Sequence, residues 1–165
     1  RVAAACAGWQ RSHYGWDIDP SIIRVVPDVL EAYEIFLREL VGAGNSVIVP
    51  TPAYMPFLSV PKLYDVDVIE IEMLQSGDAE TGEAQWVFDF DAIERAFAAG
   101  CHAFVLCNPH NPIGKVLTLE EELRLSDLAA QYDVRISMMR FMRRSCLRAS
   151  TFRSPPSASR PHYSR

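Results

Sequence analysis

The sequence lacks several features that would place it in a specialised class. Among its 165 residues, no apolar run approaches the roughly 18 residues that a membrane-spanning helix needs. The residues before Trp9 show no separate basic region followed by an apolar core, so we expect no signal peptide. The cysteines form no CxxC pair and have no regular spacing: Cys6, Cys101, Cys107 and Cys146. We therefore expect free thiols in a reducing cytoplasm and no membrane association.

Metal, nucleotide and hydrolase signatures are also lacking. The histidines are scattered without the short spacing typical of metal ligands: His13, His102, His110 and His162. Gly42 and Gly44 lie between a predicted helix and a predicted strand, the reverse of the strand–GxGxxG–helix order of a dinucleotide-binding unit. No GxSxG elbow is present. These absences predict no metal site and indicate that Gly42 ends a helix.

Charge divides the chain into two unlike parts. The sequence is 49% hydrophobic and 22% charged, which is typical of a folded globular protein. Residues 1–137 carry 9 Lys and Arg together with all 21 Asp and Glu, whereas residues 138–165 carry 7 Arg and no acid. This basic part also contains six Ser and three Pro. It fits a nucleic-acid-binding arm, a disordered tail, or a segment read in the wrong frame.

Alternating helical and strand patterns predict an α/β fold with a mostly parallel sheet flanked by helices. Asp28 is a candidate N-cap for a helix over residues 29–41, and Thr118 with Glu121 forms a capping box for a helix to about Tyr132. Further helices are predicted over residues 55–64 and 90–99. Strands are predicted over residues 46–49, 66–71, 103–107 and 134–137.

Two details of this pattern bear on packing. The uninterrupted apolar run over residues 103–107 is typical of a parallel strand buried on both faces. The polar stretch over residues 75–85 predicts a surface loop. Three consecutive acids, Glu120, Glu121 and Glu122, lie at a helix start, where they favour the dipole and are expected on a solvated face.

Two stiff segments follow predicted strands and are the candidate site. The first reads CNPHNPIGK over residues 107–115, and either of its Asn-Pro bonds is a candidate for a cis peptide. The second reads PTPAYMPF over residues 50–57 and presents Tyr54 on a rigid support, suited to stacking on a flat ring. Because open α/β sheets bind ligands at the carboxyl ends of their strands, both segments lie where a ligand is expected.

In this order, the segments TPAYMPF, DFDAIE, CNPHNPIGK and TLEEEL resemble the class I/II aminotransferase superfamily of fold type I pyridoxal-phosphate enzymes. The doubled NPHNPIG and the earlier RSHYGWDID resemble its cystathionine β-lyase (cysteine-S-conjugate β-lyase) branch. The resemblance covers roughly residues 7–137. It implies that residues 1–137 are a partial large, cofactor-binding domain that lacks the N-terminal segment, the Schiff-base region and the small domain. A chain that begins at Arg1 rather than Met agrees with such a fragment.

The resemblance also implies roles for four residues in binding pyridoxal 5′-phosphate. Asn111 is expected to donate to the phenolic oxygen, Tyr54 to stack on the pyridine ring, and the amides of Val29 and Leu30 to hold the phosphate. The chemistry of each group suits its role: a side-chain amide can donate to a phenolate, an aromatic face can stack on a ring, and a helix start can bind a phosphate. Asp28 departs from the family, in which many members have Gly, and an acid beside a phosphate requires its side chain to turn back and cap the helix.

The implied function is a carbon–sulfur β-lyase that converts cystathionine or related cysteine S-conjugates to thiol, pyruvate and ammonia. A broad-specificity aminotransferase is the alternative within the superfamily. A non-catalytic α/β binding module whose basic tail contacts nucleic acid is the alternative of another class, although we favour a small amino-acid substrate and no nucleic acid. The parent enzyme is expected to be a homodimer. Neither Lys62 nor Lys115 occupies the family's reactive-lysine position, so we expect no catalytic residue and no activity.

The family carries Asp-Glu-Ile-His where this chain has the residues that follow Ser137. Met138 and Met139 have one codon each, so their six bases are fixed, and reading two bases in gives Asp. Permitted codons for the following residues continue that frame as Glu-Ile-His-Ala-Pro-Leu-Val-Phe-Glu-Gly. We therefore predict that residues 138–165 are an out-of-frame, disordered tail.

Overall fold

A computed structural model of the chain describes residues 1–77 and 85–139, which fall into two compact units. In the first unit, the described residues 1–25 form a helix, α1 (Val2–Tyr14), and a 3-10 turn (Pro20–Ile22). Helix α1 ends at Gly15, whose φ of 62° lies in the left-handed region that glycine adopts without steric cost. The sequence analysis predicted neither of these elements.

The second unit, with described residues 26–77 and 85–139, is built on a parallel sheet. The strands in chain order are β1 (Ser46–Thr51), β2 (Asp67–Glu72), β3 (Leu74–Ser76), β4 (Gln85–Val87), β5 (Ala103–Cys107) and β6 (Arg135–Met139). Four of them pair in the order β2-β1-β5-β6, and every pair in this sheet is parallel. The predicted α/β class with a parallel sheet is therefore confirmed.

Helices connect these strands. They are α2 (Val29–Ile35), which continues as a π-helical segment (Phe36–Val41), α3 (Met55–Ser59), α4 (Phe90–Ala98) and α5 (Leu119–Gln131). The single helix predicted over residues 55–64 was wrong, because a 3-10 turn (Pro61–Tyr64) follows α3. Pro61 has no N–H to donate to the carbonyl of Phe57, four residues earlier, so the α-helix stops before it.

Apolar side chains fill both faces of the sheet. On β5, Phe104 and Leu106 join a cluster with residues of α4 and α5, whereas Ala103, Val105 and Cys107 join a cluster with residues of α2 and α3. This alternation follows the two-residue period of a strand. All five residues of β5 are buried, which confirms the prediction made from its apolar run.

Three further stretches differ from the predictions by two residues or more. The stretch predicted as a loop over residues 75–85 has paired ends, since β3 and β4 form an antiparallel pair, and residues 78–84 lie outside the described part. Strand β1 runs two residues further than predicted, to Thr51. It pairs with β5 only at Val47 and Ile48. Pro50 lies beyond this pairing, so its missing N–H costs no hydrogen bond to β5. Strand β6 likewise runs to Met139, paired with Cys107.

Several other predictions concern the chain as a whole. No helix in the described residues is long and apolar enough to cross a membrane. Cys6, Cys101 and Cys107 are free thiols, as predicted. The tail predicted to be disordered and out of frame lies, from residue 140 onward, outside the described residues.

Candidate active site

Two loops leave the same edge of the sheet from neighbouring strands. The β1 loop, residues 52–54, connects β1 to α3, and the β5 loop, residues 108–118, connects β5 to α5. Because β1 and β5 are adjacent and parallel, both loops lie at the carboxyl edge, where ligands bind in open α/β sheets. The Asn108–Pro109 and Asn111–Pro112 bonds are both cis, and Thr51–Pro52 is cis as well.

A buried histidine joins the two loops. His110 is 3% exposed, and its Nε2 lies 2.9 Å from the carbonyl oxygen of Pro52. Its backbone amide donates to the carbonyl of Lys115 at 2.7 Å, which closes the β5 loop on itself. Burial lowers the pKa of His110, the carbonyls of Pro52 and Cys107 act in the opposite direction, and the charge of Lys115 lowers it further. The contact with Pro52, whose carbonyl can only accept, makes Nε2 the donor.

Asn108 fixes the base of the β5 loop from within the core. Its Nδ2 donates to Glu122 Oε1 at 2.9 Å, and its Oδ1 accepts from the amide of Leu117 at 3.2 Å. Asn108 is 4% exposed, and so is Glu122. One side chain therefore bridges the two ends of the loop and joins them to α5.

A second polar group closes the far end of this loop. Lys115 Nζ forms an ion pair with Glu121 at 2.8 Å, with side chains only 9% and 13% exposed. Glu121 also accepts from the amide of Thr118, whose hydroxyl accepts from the Glu121 amide, so the predicted capping box is confirmed. The prediction that the Glu120–Glu122 run lies on a solvated face was wrong for Glu122, because it shares the buried stripe of α5 with Leu125 and Ala129.

Tyr54 is held by aromatic packing. The Tyr54 ring meets Phe57 edge to face, with centroids 5.6 Å apart, and Phe57 meets Tyr33 of α2 in the same way at 5.4 Å. The buried Tyr33 hydroxyl donates to the carbonyl of Phe57 at 3.2 Å. In a continuous helix this carbonyl would accept from the backbone amide of residue 61, but Pro61 has no N–H. The carbonyl of Phe57 is therefore free to accept from Tyr33, which connects α3 to α2.

The start of α2 presents backbone amides. Asp28 has extended backbone geometry, and its carboxylate accepts from the amide of Glu31 at 2.9 Å, which confirms the predicted cap. This is the orientation that the sequence analysis required of an acid beside a phosphate. The amides of Val29 and Leu30, in the first turn, have no intrahelical acceptor by the geometry of an α-helix.

Hydrogen bonds made by other residues link the elements that carry the four predicted site residues. Tyr54 and Asn111 lie on the two loops that His110 joins, and α2, which carries Val29 and Leu30, contacts the helix of Tyr54 through Tyr33. Tyr54 is half-buried, whereas Asn111 is exposed. Beneath the β5 loop, the Cys107 thiol donates to the carbonyl of Pro109, and burial raises the pKa of this thiol while the backbone amide of Asn111 acts in the opposite direction.

Sequence reasoning missed the residues that hold this arrangement together: Tyr33, Asn108 as a buried bridge, His110 and Glu122. Helical spacing with Leu125 and Ala129 was a usable signal for Glu122. A lone histidine between two prolines carried no comparable signal. Within residues 1–77 and 85–139, no group of three or more His, Cys, Asp and Glu side chains is placed to hold a metal ion.

The loops after β1 and β5, which carry Tyr54 and Asn111, lie at the carboxyl edge of the parallel sheet, the edge at which open α/β sheets bind ligands. The family model for aminotransferase class I and II matches residues 3–137. The chain therefore belongs to the class I and II aminotransferase family.

Among curated relatives, the chain is 34% identical over 132 residues to a cystathionine beta-lyase of Corynebacterium glutamicum. It is 27% identical over 133 residues to the cystathionine beta-lyase PatB of Bacillus subtilis. Each match covers 80% of this chain and 33% of the relative. The chain thus spans about a third of the length of the curated relatives it matches, and it is similar to cystathionine beta-lyases over that third.

The chain is also similar to about a third of several solved structures. The chain superposes on cystalysin from Treponema denticola, which contains a pyridoxal 5′-phosphate cofactor, with a TM-score of 0.74 and 27% identity. It also superposes on N-succinyldiaminopimelate aminotransferase from Mycobacterium tuberculosis, with a TM-score of 0.75 and 25% identity. These matches cover 82% and 83% of this chain and 33% and 34% of the respective structures.

Proposed function

We propose that this chain is a partial cofactor-binding domain of a pyridoxal-phosphate-dependent carbon–sulfur β-lyase. The parent enzyme, a homodimer, would act on cystathionine or related cysteine S-conjugates and release thiol, pyruvate and ammonia. The observation that carries the proposal is the hydrogen bond from His110 to Pro52, because it joins the loops that bear Tyr54 and Asn111. The similarity to two cystathionine beta-lyases supports the choice of reaction.

The residues present fit the cofactor chemically. Amides of Val29 and Leu30 would receive the phosphate, the Tyr54 ring would lie against the pyridine face, and the Asn111 amide would donate to the phenolic oxygen. Asp28 does not stand in the way of this fit, since the Glu31 amide engages its carboxylate. When bound, pyridoxal phosphate supplies an electron sink that weakens bonds at the α-carbon of an amino acid.

This chain would bind and orient the cofactor without carrying out the reaction. Its only lysines are Lys62 and Lys115. Lys115 is committed to its buried ion pair with Glu121, and Lys62 is exposed on the 3-10 turn after α3. By the family resemblance, neither occupies the position of the reactive lysine, so we expect no turnover by the chain as written.

Cofactor binding is tested with pyridoxine 5′-phosphate, which has an alcohol in place of the aldehyde and so cannot attach to a lysine at random. Saturable binding by the purified chain is expected, and it should be weakened in Tyr54→Leu and Asn111→Ala. The control Tyr132→Phe removes a hydrogen bond to Glu94 elsewhere in the unit. Equal binding by all four proteins, or no binding by the unmodified chain, would contradict the proposed site.

The frame break after Ser137 completes the proposal. The family match ends at residue 137, which agrees with a change of frame there. Strand β6 continues through Met138 and Met139, but parallel pairing uses backbone groups and is compatible with either frame. Sequencing the gene tests this directly: the second frame should encode Asp-Glu-Ile-His and, further on, a lysine. Bases that encode neither would refute it.

Activity assays separate the lyase from the alternative, an aminotransferase. The family match and the similarity to the M. tuberculosis aminotransferase support that alternative. We expect no pyruvate from cystathionine with the chain as written. The protein expressed in the restored frame should release pyruvate and thiol without a keto-acid acceptor. Glutamate formed only when 2-oxoglutarate is added would identify an aminotransferase instead.

A further inference from the structure

The hydrogen bond to Pro52 indicates which nitrogen of the buried His110 ring carries a proton. Its Nε2 faces the carbonyl oxygen of Pro52 at 2.9 Å, and a carbonyl oxygen only accepts, so Nε2 carries the proton. Its Nδ1 is buried and has no hydrogen-bond partner among the described residues. A polar atom left without a partner in the core is costly, so burial of this ring lowers the stability of the fold.

Both partners of this contact are close in sequence to a predicted site residue. His110 immediately precedes Asn111, and Pro52 precedes Tyr54 by two residues. Within the described residues, no other side-chain hydrogen bond joins the β1 loop to the β5 loop. Each loop otherwise has an anchor of its own: Asn108 for the β5 loop and the packing of Tyr54 on Phe57 for the β1 loop.

We propose that His110 is a positioning residue of the cofactor site, which fixes the spacing between the Tyr54 ring and the Asn111 amide. This inference rests on the proposed function, since both groups would address one rigid ring, Tyr54 from its face and Asn111 at its edge oxygen. Two contacts to one rigid ligand tolerate little relative movement of their supports. A hydrogen bond between the supports restricts that movement before the ligand binds.

The test uses two substitutions at this position. His110→Gln keeps an N–H donor at a reach similar to that of Nε2, whereas His110→Leu removes it. Affinity for pyridoxine 5′-phosphate is measured at a temperature where circular dichroism shows each variant folded. We expect His110→Leu to weaken binding about tenfold and His110→Gln to remain within about threefold of the unmodified chain. Tyr132→Phe serves as the control for loss of one hydrogen bond outside the two loops.

The outcomes are distinct. Equal losses in the Gln and Leu variants, or no loss in the Leu variant, would overturn the role of His110. Failure of the unmodified chain to bind would instead overturn the proposed function. A second measurement needs no variant: nitrogen chemical shifts of the His110 ring near neutral pH should show the proton on Nε2. A proton on Nδ1 is incompatible with donation to Pro52 and would overturn the inference even where a variant fails to fold.

Discussion

The β1 loop and the β5 loop lie side by side at one sheet edge, yet they are held by different forces. The β5 loop is fixed by a buried polar network, in which Asn108 bridges Leu117 to Glu122 and Lys115 pairs with Glu121. The β1 loop is three residues long and is fixed by aromatic packing of Tyr54 on Phe57. His110 is the contact between the two.

The difference follows from loop length. The β5 loop spans residues 108–118 and contains many backbone groups that cannot reach a strand or helix, so side chains must satisfy them. The β1 loop leads almost directly into α3 and leaves few such groups. Polar bonds fix direction more strictly than packing does, which suits the loop that would present the directional amide of Asn111. Ring packing suits the loop that would present a flat face.

The largest expected effect is loss of the polar bridge. Asn108→Ala removes a donor from the buried Glu122 and an acceptor from the buried Leu117 amide, so the free energy of unfolding should fall by about 2–3 kcal/mol. Urea denaturation measures this. Asn45→Ala is the matched control, because Asn45 donates only to the carbonyl of Val41 in a half-buried setting. Equal losses in both variants would contradict a special role for the bridge.

The aromatic side of the comparison is tested by Tyr33→Phe. The variant keeps the ring packing on Phe57 but leaves the Phe57 carbonyl without the hydroxyl that donates to it. We expect the free energy of unfolding to fall by about 1.5 kcal/mol. Tyr64→Phe removes a half-buried hydroxyl bonded to Glu34 and should cost less. A smaller loss for Tyr33→Phe than for Tyr64→Phe would show that packing alone holds the β1 loop.

The features predicted from the sequence were those encoded locally. The apolar run of β5, the capping box of Thr118 and the cap of Asp28 depend on residues a few positions apart, and each was confirmed. The family resemblance was equally readable, because its motifs are short and contiguous. The break at Pro61 was missed, although a proline in mid-helix is a local signal for a helix end; Pro56, five residues earlier, is tolerated because it lies in the first turn.

The contacts that were missed join residues far apart in the chain. His110 and Pro52 are separated by 58 positions, and Tyr33 and Phe57 by 24. No local pattern indicates which carbonyl a buried histidine or tyrosine will meet, because the partner is set by the strand order β2-β1-β5-β6. The predicted site residues could therefore be named from motifs, but the side chains that hold their supports together required the fold.

The contact between the loops should also affect how stability depends on pH. Burial holds the pKa of His110 below its ordinary value near 6.5. As the pH falls below 6.5, the unfolded chain therefore binds a proton at this residue before the folded chain does. Stability that His110 retains above pH 6.5 is therefore lost as the pH falls towards its folded-state pKa. The difference between the unmodified chain and His110→Gln should have a slope of no more than about 1.4 kcal/mol per pH unit.

Denaturant midpoints measured from pH 8 to pH 5 give this slope. His102→Gln, which removes an exposed histidine beside β5, is measured alongside as the control for losing a ring elsewhere. A curve for His110→Gln that parallels the unmodified chain throughout would mean that the ring is not buried between the loops in solution.

The smallest expected effect concerns the third support, the start of α2, where the Asp28 carboxylate caps the helix whose first amides would receive a phosphate. Asp28→Asn keeps an N-cap of equal quality and removes one negative charge. Repulsion of a doubly charged phosphate should fall, and affinity for pyridoxine 5′-phosphate should rise about fivefold at low ionic strength. Asp89→Asn makes the same change at the cap of α4, where Asp89 accepts from the Ala92 amide, and should leave affinity unchanged. Because the two caps are alike in chemistry, only their positions relative to the ligand can separate the results. An equal rise in both variants would show that only the net charge matters and would contradict a role for α2 in the site. A rise confined to Asp28→Asn would support the start of α2 as a third part of the site, beside the two loops.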